Sequence, residues 1–201
     1  MSLAFHPWFN APVTEVGERK DVRVTIPAGR RWVASEEFIP AHTEAVEETK
    51  YDFREGRVVG EETYDDVLTS IETTDGRYMA RLYHPAVDLT VEVEADEVFK
   101  HVVIYVPDGK RTISIEPQTS STDAFNLAQR GNEEATPVIL KAGDKFNANM
   151  SIRLVSSSSN EKEQKMRTDH KPHLGGGVSR IDDMSPMPVI ITLAADDIFI
   201  A

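Results

Sequence analysis

The sequence predicts an all-β fold, an antiparallel β-sandwich, on three observations. Apolar and polar residues alternate at period two through most of the first 155 residues. Turn signals recur between these runs. The runs lie so close together that little room remains for crossover helices between parallel strands.

The elements follow in chain order. Val22, Val24 and Ile26 alternate with Arg23 and Thr25, and Pro27-Ala28-Gly29 reads as the turn that follows. The glutamate-rich stretch 41–50 has no good apolar face and reads as an exposed excursion between strands. Asp75-Gly76 is a turn signal. Leu89, Val91 and Val93 alternate with Thr90, Glu92 and Glu94. His101 to Val106 is a more continuous β-rich run, closed by Pro107-Asp108-Gly109. Ile113 and Ile115 face a core, which turns Thr112, Ser114 and Glu116 to the opposite face. Pro117 then ends the ladder. A short helix follows, with Thr122 as cap, Asp123 at its positive end and Gly131 closing it. Ala142-Gly143-Asp144 leads into the longest stripe, Phe146, Ala148, Met150, Ile152 and Leu154.

The composition shifts at Ser156. Residues 1–155 read as the sandwich, and 156–201 as a polar linker and tail whose last apolar run has the character of one added strand. The chain of 201 residues is long enough for one domain with a hydrophobic core. Its net charge of -12 disfavours nucleic acid and anionic membrane surfaces as partners, but not neutral ligands such as sugars. The absence of cysteine excludes disulfides, thiolate nucleophiles and zinc–thiolate sites. No basic-then-apolar leader opens the chain, and the apolar run 188–195 is too short to span a bilayer. A soluble cytoplasmic protein is the expectation.

Three places carry candidate chemistry. The first is His6, since a histidine side chain can donate or accept a proton, and Trp8 and Phe9 beside it offer flat surfaces suited to the C–H face of a sugar ring. Taken alone, the set also fits a terminal histidine beside two core aromatics. Glu116 stands at a strand end, where a rigid scaffold presents groups to a cleft; alone it also fits an exposed strand-end acid. Asp65-Asp66 follows Tyr64, and at most one of the pair faces a given site. A solvated turn is the plainer reading, and no hard-cation loop surrounds it. His170 and His173 flank Lys171-Pro172, which argues against a helical metal pair. Gly175-Gly176-Gly177 is no dinucleotide fingerprint, and no nucleophile elbow or phosphate loop is present.

Taken in order, these places form a pattern. Phe5-His6-Pro7-Trp8-Phe9-Asn10 resembles the His-Pro-Tyr-Phe-Asn motif of aldose 1-epimerases. Tyr51-Asp52-Phe53-Arg54 is similar to their Asp-Phe-Arg element. Tyr64-Asp65-Asp66 is similar to their Tyr-Asp-His element, with aspartate for histidine. Ile115-Glu116-Pro117-Gln118-Thr119 followed by Thr122-Asp123-Ala124-Phe125-Asn126-Leu127 resembles the most specific signature, Glu-Pro-x-Thr then Asp-Ala-x-Asn-Leu. Leu140-Lys141-Ala142-Gly143-Asp144 resembles a strand entry of the family.

The resemblance implies a galactose mutarotase-like β-sandwich, incomplete at its N-terminal side. It implies interconversion of the α and β anomers of a free monosaccharide, with Glu116 as general base, His6 as general acid, and Asp65, Trp8 and Gln118 binding the sugar. Imidazole and carboxylate would face each other across a gap that a pyranose fills. No metal or organic cofactor is required. The family's N-terminal part, with a second active-site histidine, has no counterpart ahead of His6. A homo-oligomer, a complementing chain, a truncated family member and a catalytically inactive carbohydrate-binding domain are the corresponding alternatives.

Overall fold

The computed structural model describes residues 1–36, 38–156 and the backbone of 187–194. Its strands are β1 (Trp8–Asn10), β2 (Arg23–Thr25), β3 (Ala28–Ala34), β4 (Pro40–Ala45), β5 (Arg57–Val58), β6 (Tyr64–Ile71), β7 (Arg77–His84), β8 (Leu89–Asp96), β9 (His101–Val106), β10 (Thr112–Gln118), β11 (Lys145–Ser156) and β12 (Met187–Ala194). One short helix, α1 (Ala124–Gln129), follows β10. Among the described residues they form two antiparallel six-stranded sheets. Sheet A runs β1-β10-β9-β6-β3-β4 and sheet B runs β12-β11-β8-β7-β2-β5. The linker from 157 to 186, including His170, His173 and the glycine triplet, lies outside the described residues.

The sheets meet through the apolar halves of their alternating patterns. Val24, Ala80, Leu82, Val91, Val93 and Ala148 of sheet B pack against Leu68, Val102, Ile104, Ile113 and Ile115 of sheet A, all essentially solvent-free. Burying one such aliphatic side chain contributes roughly 1.5–3 kcal/mol. The β6–β7 hairpin turns on Asp75 and Gly76, both at positive φ, the two-residue geometry that suits the strands' twist.

The outer face of sheet A is covered as well. Trp32 and the partly buried Val67 pack under Ala124, Leu127 and Ala135, the apolar residues of α1 and the turn after it. His101 is wholly buried beneath this layer. Its Nδ1 accepts from Trp32 Nε1, and its Nε2 donates to Thr136 Oγ1, which donates to the Thr119 carbonyl. Burial pushes the His101 pKa down to about 4, so the ring is neutral at pH 7.

Several expectations need correction. Residues 40–45 are strand β4, the edge of sheet A, and not an excursion; an edge strand tolerates glutamates because one side meets solvent. Asp65-Asp66 begins strand β6 and is not a turn. The turn at Pro27 is shorter than the three-residue signal, because Ala28 already pairs in β3. Pro117 does not end β10, since it pairs with Val102 and the strand runs to Gln118. Its carbonyl accepts from Phe5, so its missing N–H faces the sheet's outer segment, where one lost bond is tolerated. The residue capping α1 is Asp123 rather than Thr122. Asp123 takes a left-handed conformation, and its carboxylate accepts from the Asn126 amide and from Arg130.

Candidate active site

The site is built by strand register. The chain's first residues run antiparallel beside β10. Leu3 and Thr119 exchange hydrogen bonds, Ala4 stands opposite Gln118, and Trp8 stands opposite Ser114. His6 therefore falls opposite Glu116. From there the register continues across the sheet. Glu116 faces Val103, which faces Val67, while Ser114 faces Tyr105, which faces Asp65. Cross-strand partners project to the same face, so residues far apart in sequence converge on one patch.

His6 Nε2 lies 3.1 Å from Glu116 Oε1. The His6 side chain is 50% exposed and that of Glu116 only 7%, so the carboxylate is the fixed partner and the imidazole the accessible one. The anticipated pyranose-wide gap is absent: the two side chains touch. The reason is register, because directly opposed residues hold their Cβ atoms only about 4.5–5.5 Å apart. A ligand must meet the pair from above, at its solvent side.

Burial pushes the Glu116 carboxyl above its ordinary range. The Ser114 hydroxyl and the His6 charge pull it back, the Asp65 charge pushes it up again, and the Gln118 amide opposes that. Burial, then the Asp66 charge, also raises Asp65. A buried carboxylate of raised basicity 3.1 Å from an imidazole is an arrangement able to exchange a proton, as general acid–base chemistry requires.

His6, Glu116, Gln118 and Asp65 line one cavity of about 600 Å³, within the range of small-molecule sites. Trp8 stands beside it and not among its lining residues. It is 52% exposed, with its ring 4.9 Å from that of His6 and 5.4 Å from that of Tyr105. Phe9, its neighbour, turns inward against the core. The Asp-Phe-Arg element is structural: Phe53 is wholly buried against Tyr64, while Arg54 grips both Asp52 oxygens at 2.9 and 2.7 Å.

Sequence reasoning missed several lining residues. Tyr105 and Val103 belong to a continuous apolar run, in which no alternation marks which residues face outward. Arg31 and Phe38 also line the cavity. Arg31 pairs with Glu44 and Asp66 and lies 4.0 Å over the Tyr51 ring, so its charge is committed to the fold. Both acids line the cavity, against the expectation that at most one of the pair faces a given site; Asp66 pairs with Arg31, and the charge of Asp65 is the one that acts on Glu116. Among the described residues no three His, Asp or Glu side chains converge to hold a metal ion.

A family model described as aldose 1-epimerase matches residues 1–153. The chain belongs to the aldose 1-epimerase family. Solved structures agree with the family's architecture. A candidate aldose 1-epimerase from Escherichia coli superposes with a TM-score of 0.62 at 17% identity, covering 77% of this chain and 50% of its own. A GalM/aldose epimerase homologue from C. elegans gives 0.60 at 16% identity, covering 78% and 51%. A galactose mutarotase-like protein from Clostridium acetobutylicum gives 0.56 at 23% identity, covering 63% and 39%. At such identities the likeness is one of fold, and it makes this epimerase-family chain an antiparallel, galactose mutarotase-like β-sandwich. The chain spans about half the length of these solved relatives, or less. No helix among the described residues is long and apolar enough to cross a membrane.

Proposed function

We propose that this chain interconverts the anomers of a free aldose by opening and reclosing the sugar ring, with Glu116 as general base and His6 as general acid. One observation carries the reading: an imidazole and a buried carboxylate, opposed across two strands and 3.1 Å apart, in a cavity that also holds Asp65 and Gln118.

The protons balance. Glu116 takes the proton from the anomeric hydroxyl while His6 Nε2 gives its proton to the ring oxygen. The C1–O5 bond breaks and C1=O1 forms. After rotation about C1–C2, His6 takes the proton back from the O5 hydroxyl as that oxygen attacks the other face of C1. Glu116 returns its proton to O1, and nothing is consumed. The raised pKa suits a base, since it strengthens proton uptake while the nearby imidazolium keeps the carboxylate ionised. Asp65 and Gln118 accept and donate to sugar hydroxyls, and the exposed Trp8 ring stacks at the rim.

Polarimetry of freshly dissolved aldoses tests the reading. Relaxation faster than buffer, abolished in Glu116→Gln, supports it; buffer-rate relaxation with the wild-type chain refutes it. The direct 3.1 Å contact of His6 with Glu116, which leaves no gap for a sugar between them, supports a second reading, a carbohydrate-binding domain without turnover. Saturable aldose binding by calorimetry with no rate enhancement would favour that one.

A further inference from the structure

We infer that Ser114 is a positioning residue that holds the neutral His6 ring in the tautomer protonated at Nδ1, leaving Nε2 as the atom that exchanges protons with substrate. The inference rests on the acid role given to His6 above.

The argument is an inventory of hydrogens. Ser114 is wholly buried, and its Oγ lies 2.8 Å from the Pro7 carbonyl and 3.2 Å from His6 Nδ1. A serine hydroxyl has one hydrogen and two lone pairs. A carbonyl oxygen can only accept, so the hydrogen is committed to Pro7. The other polar group it reaches, the Glu116 carboxylate, is also an acceptor. With either partner the hydroxyl spends its hydrogen away from His6 and turns a lone pair to the ring. Nδ1 must therefore carry a hydrogen and donate it.

The consequence lies at the other nitrogen. With Nδ1–H fixed, the 3.1 Å contact between Nε2 and Glu116 Oε1 is bridged by one proton, carried by Nε2 when the ring is charged and by the carboxyl when the ring is neutral, since two bare lone pairs would repel there. Charged, the ring carries its extra proton at Nε2. One proton thus moves on and off one defined atom, the atom that must give a proton to the ring oxygen and take it back. A ring free to adopt the other tautomer would present Nε2–H when neutral and could not accept the proton that ring closure returns. The serine is placed by the same register that places the site: it stands two residues before Glu116 on the same face, opposite Trp8.

The test is ¹⁵N NMR of the full chain labelled at its histidines, recorded as a pH series and read for the neutral ring, with the His6 signals assigned by their loss in His6→Gln. The wild-type chain should show a pyridine-type Nε2 and a pyrrole-type Nδ1. Ser114→Ala should shift the neutral population toward Nε2–H and lower kcat about 10-fold or more, with KM little changed. Ser114→Thr, which keeps the hydroxyl, should restore the wild-type tautomer. A wild-type His6 that is mainly Nε2–H overturns the inference, as does a folded Ser114→Ala with the wild-type tautomer. Should Ser114→Ala not fold, the wild-type spectrum and Ser114→Thr decide. Because the tautomer is read without substrate, absent turnover with the assigned tautomer present counts against the epimerase reading and leaves this one standing.

Discussion

The outer faces of the two sheets are built from the same strand alternation and put to opposite uses. On sheet B the outward residues of β7, β8 and β11 form a ladder of exposed ion pairs. Arg77 meets Glu94 and Asp96, Arg81 meets Glu92, and Arg153 meets Glu92 from the other side. On sheet A the outward residues include buried Ser114, Glu116 and His101. The difference is cover. Water reaches the arginines of these sheet B pairs, so each pair contributes little. Sheet A carries α1 and the layer beneath it on the same face, and there burial shifts proton affinities, raising that of Glu116 and lowering that of His101.

The largest test of this contrast is Glu116→Gln. Removing the base should lower mutarotation kcat/KM by about 10²- to 10⁴-fold, read by polarimetry. The same change should not cost stability at neutral pH. The folded carboxyl has a pKa raised above its ordinary 4.5, so the folded state binds its proton more tightly than the unfolded chain does. Stability therefore falls as pH rises from about 4.5 through the raised value, and the glutamine variant should lack that fall in a melting series.

His101 gives the opposite sign on the same face. Its pKa is lowered to about 4 from 6.5, so the folded state excludes the proton. The contribution is complete above pH 6.5 and is lost as pH falls toward 4, by roughly 3 kcal/mol at most. His101→Gln should flatten the acid side of the melting-temperature curve, at the cost of a lower melting temperature at pH 7.

Asp65→Asn should act on binding rather than on the fold. We expect KM to rise about 10-fold for a lost charge-assisted bond to a sugar hydroxyl, with the melting temperature not lowered, because burial and the Asp66 charge already oppose ionisation of this carboxyl. The smallest effect belongs to sheet B. Glu92→Gln breaks the pairs to both Arg81 and Arg153 and should cost less than about 1 kcal/mol, shrinking further in high salt, with mutarotation unaffected. An activity loss there would erase the contrast between the two faces.

The alternation of Ile113 and Ile115 with Ser114 and Glu116 was enough to orient β10. The Asp75-Gly76 hairpin was legible for a similar reason, since its turn chemistry is local. Strand β4 was not legible, because Pro40-Ala41-His42-Thr43-Glu44-Ala45 has no apolar face and its pairing energy comes from backbone bonds to β3. Nor was the outward face of β9, whose apolar run hides Val103 and Tyr105 because both faces of that strand are covered.

What the sequence by itself determined was the all-β class, the inward face of most strands and which side chains were candidates for chemistry, since these depend on period, turn residues and chemical type. Only the tertiary structure decided that His6 stands directly against Glu116, that Asp65 and Asp66 both share their cavity with Asp66 paired to Arg31, and that Ser114 lies behind the imidazole. Those facts are consequences of register between strands distant in the chain. Register is set by packing and ladder bonds summed over two whole sheets, which no local stretch of residues encodes.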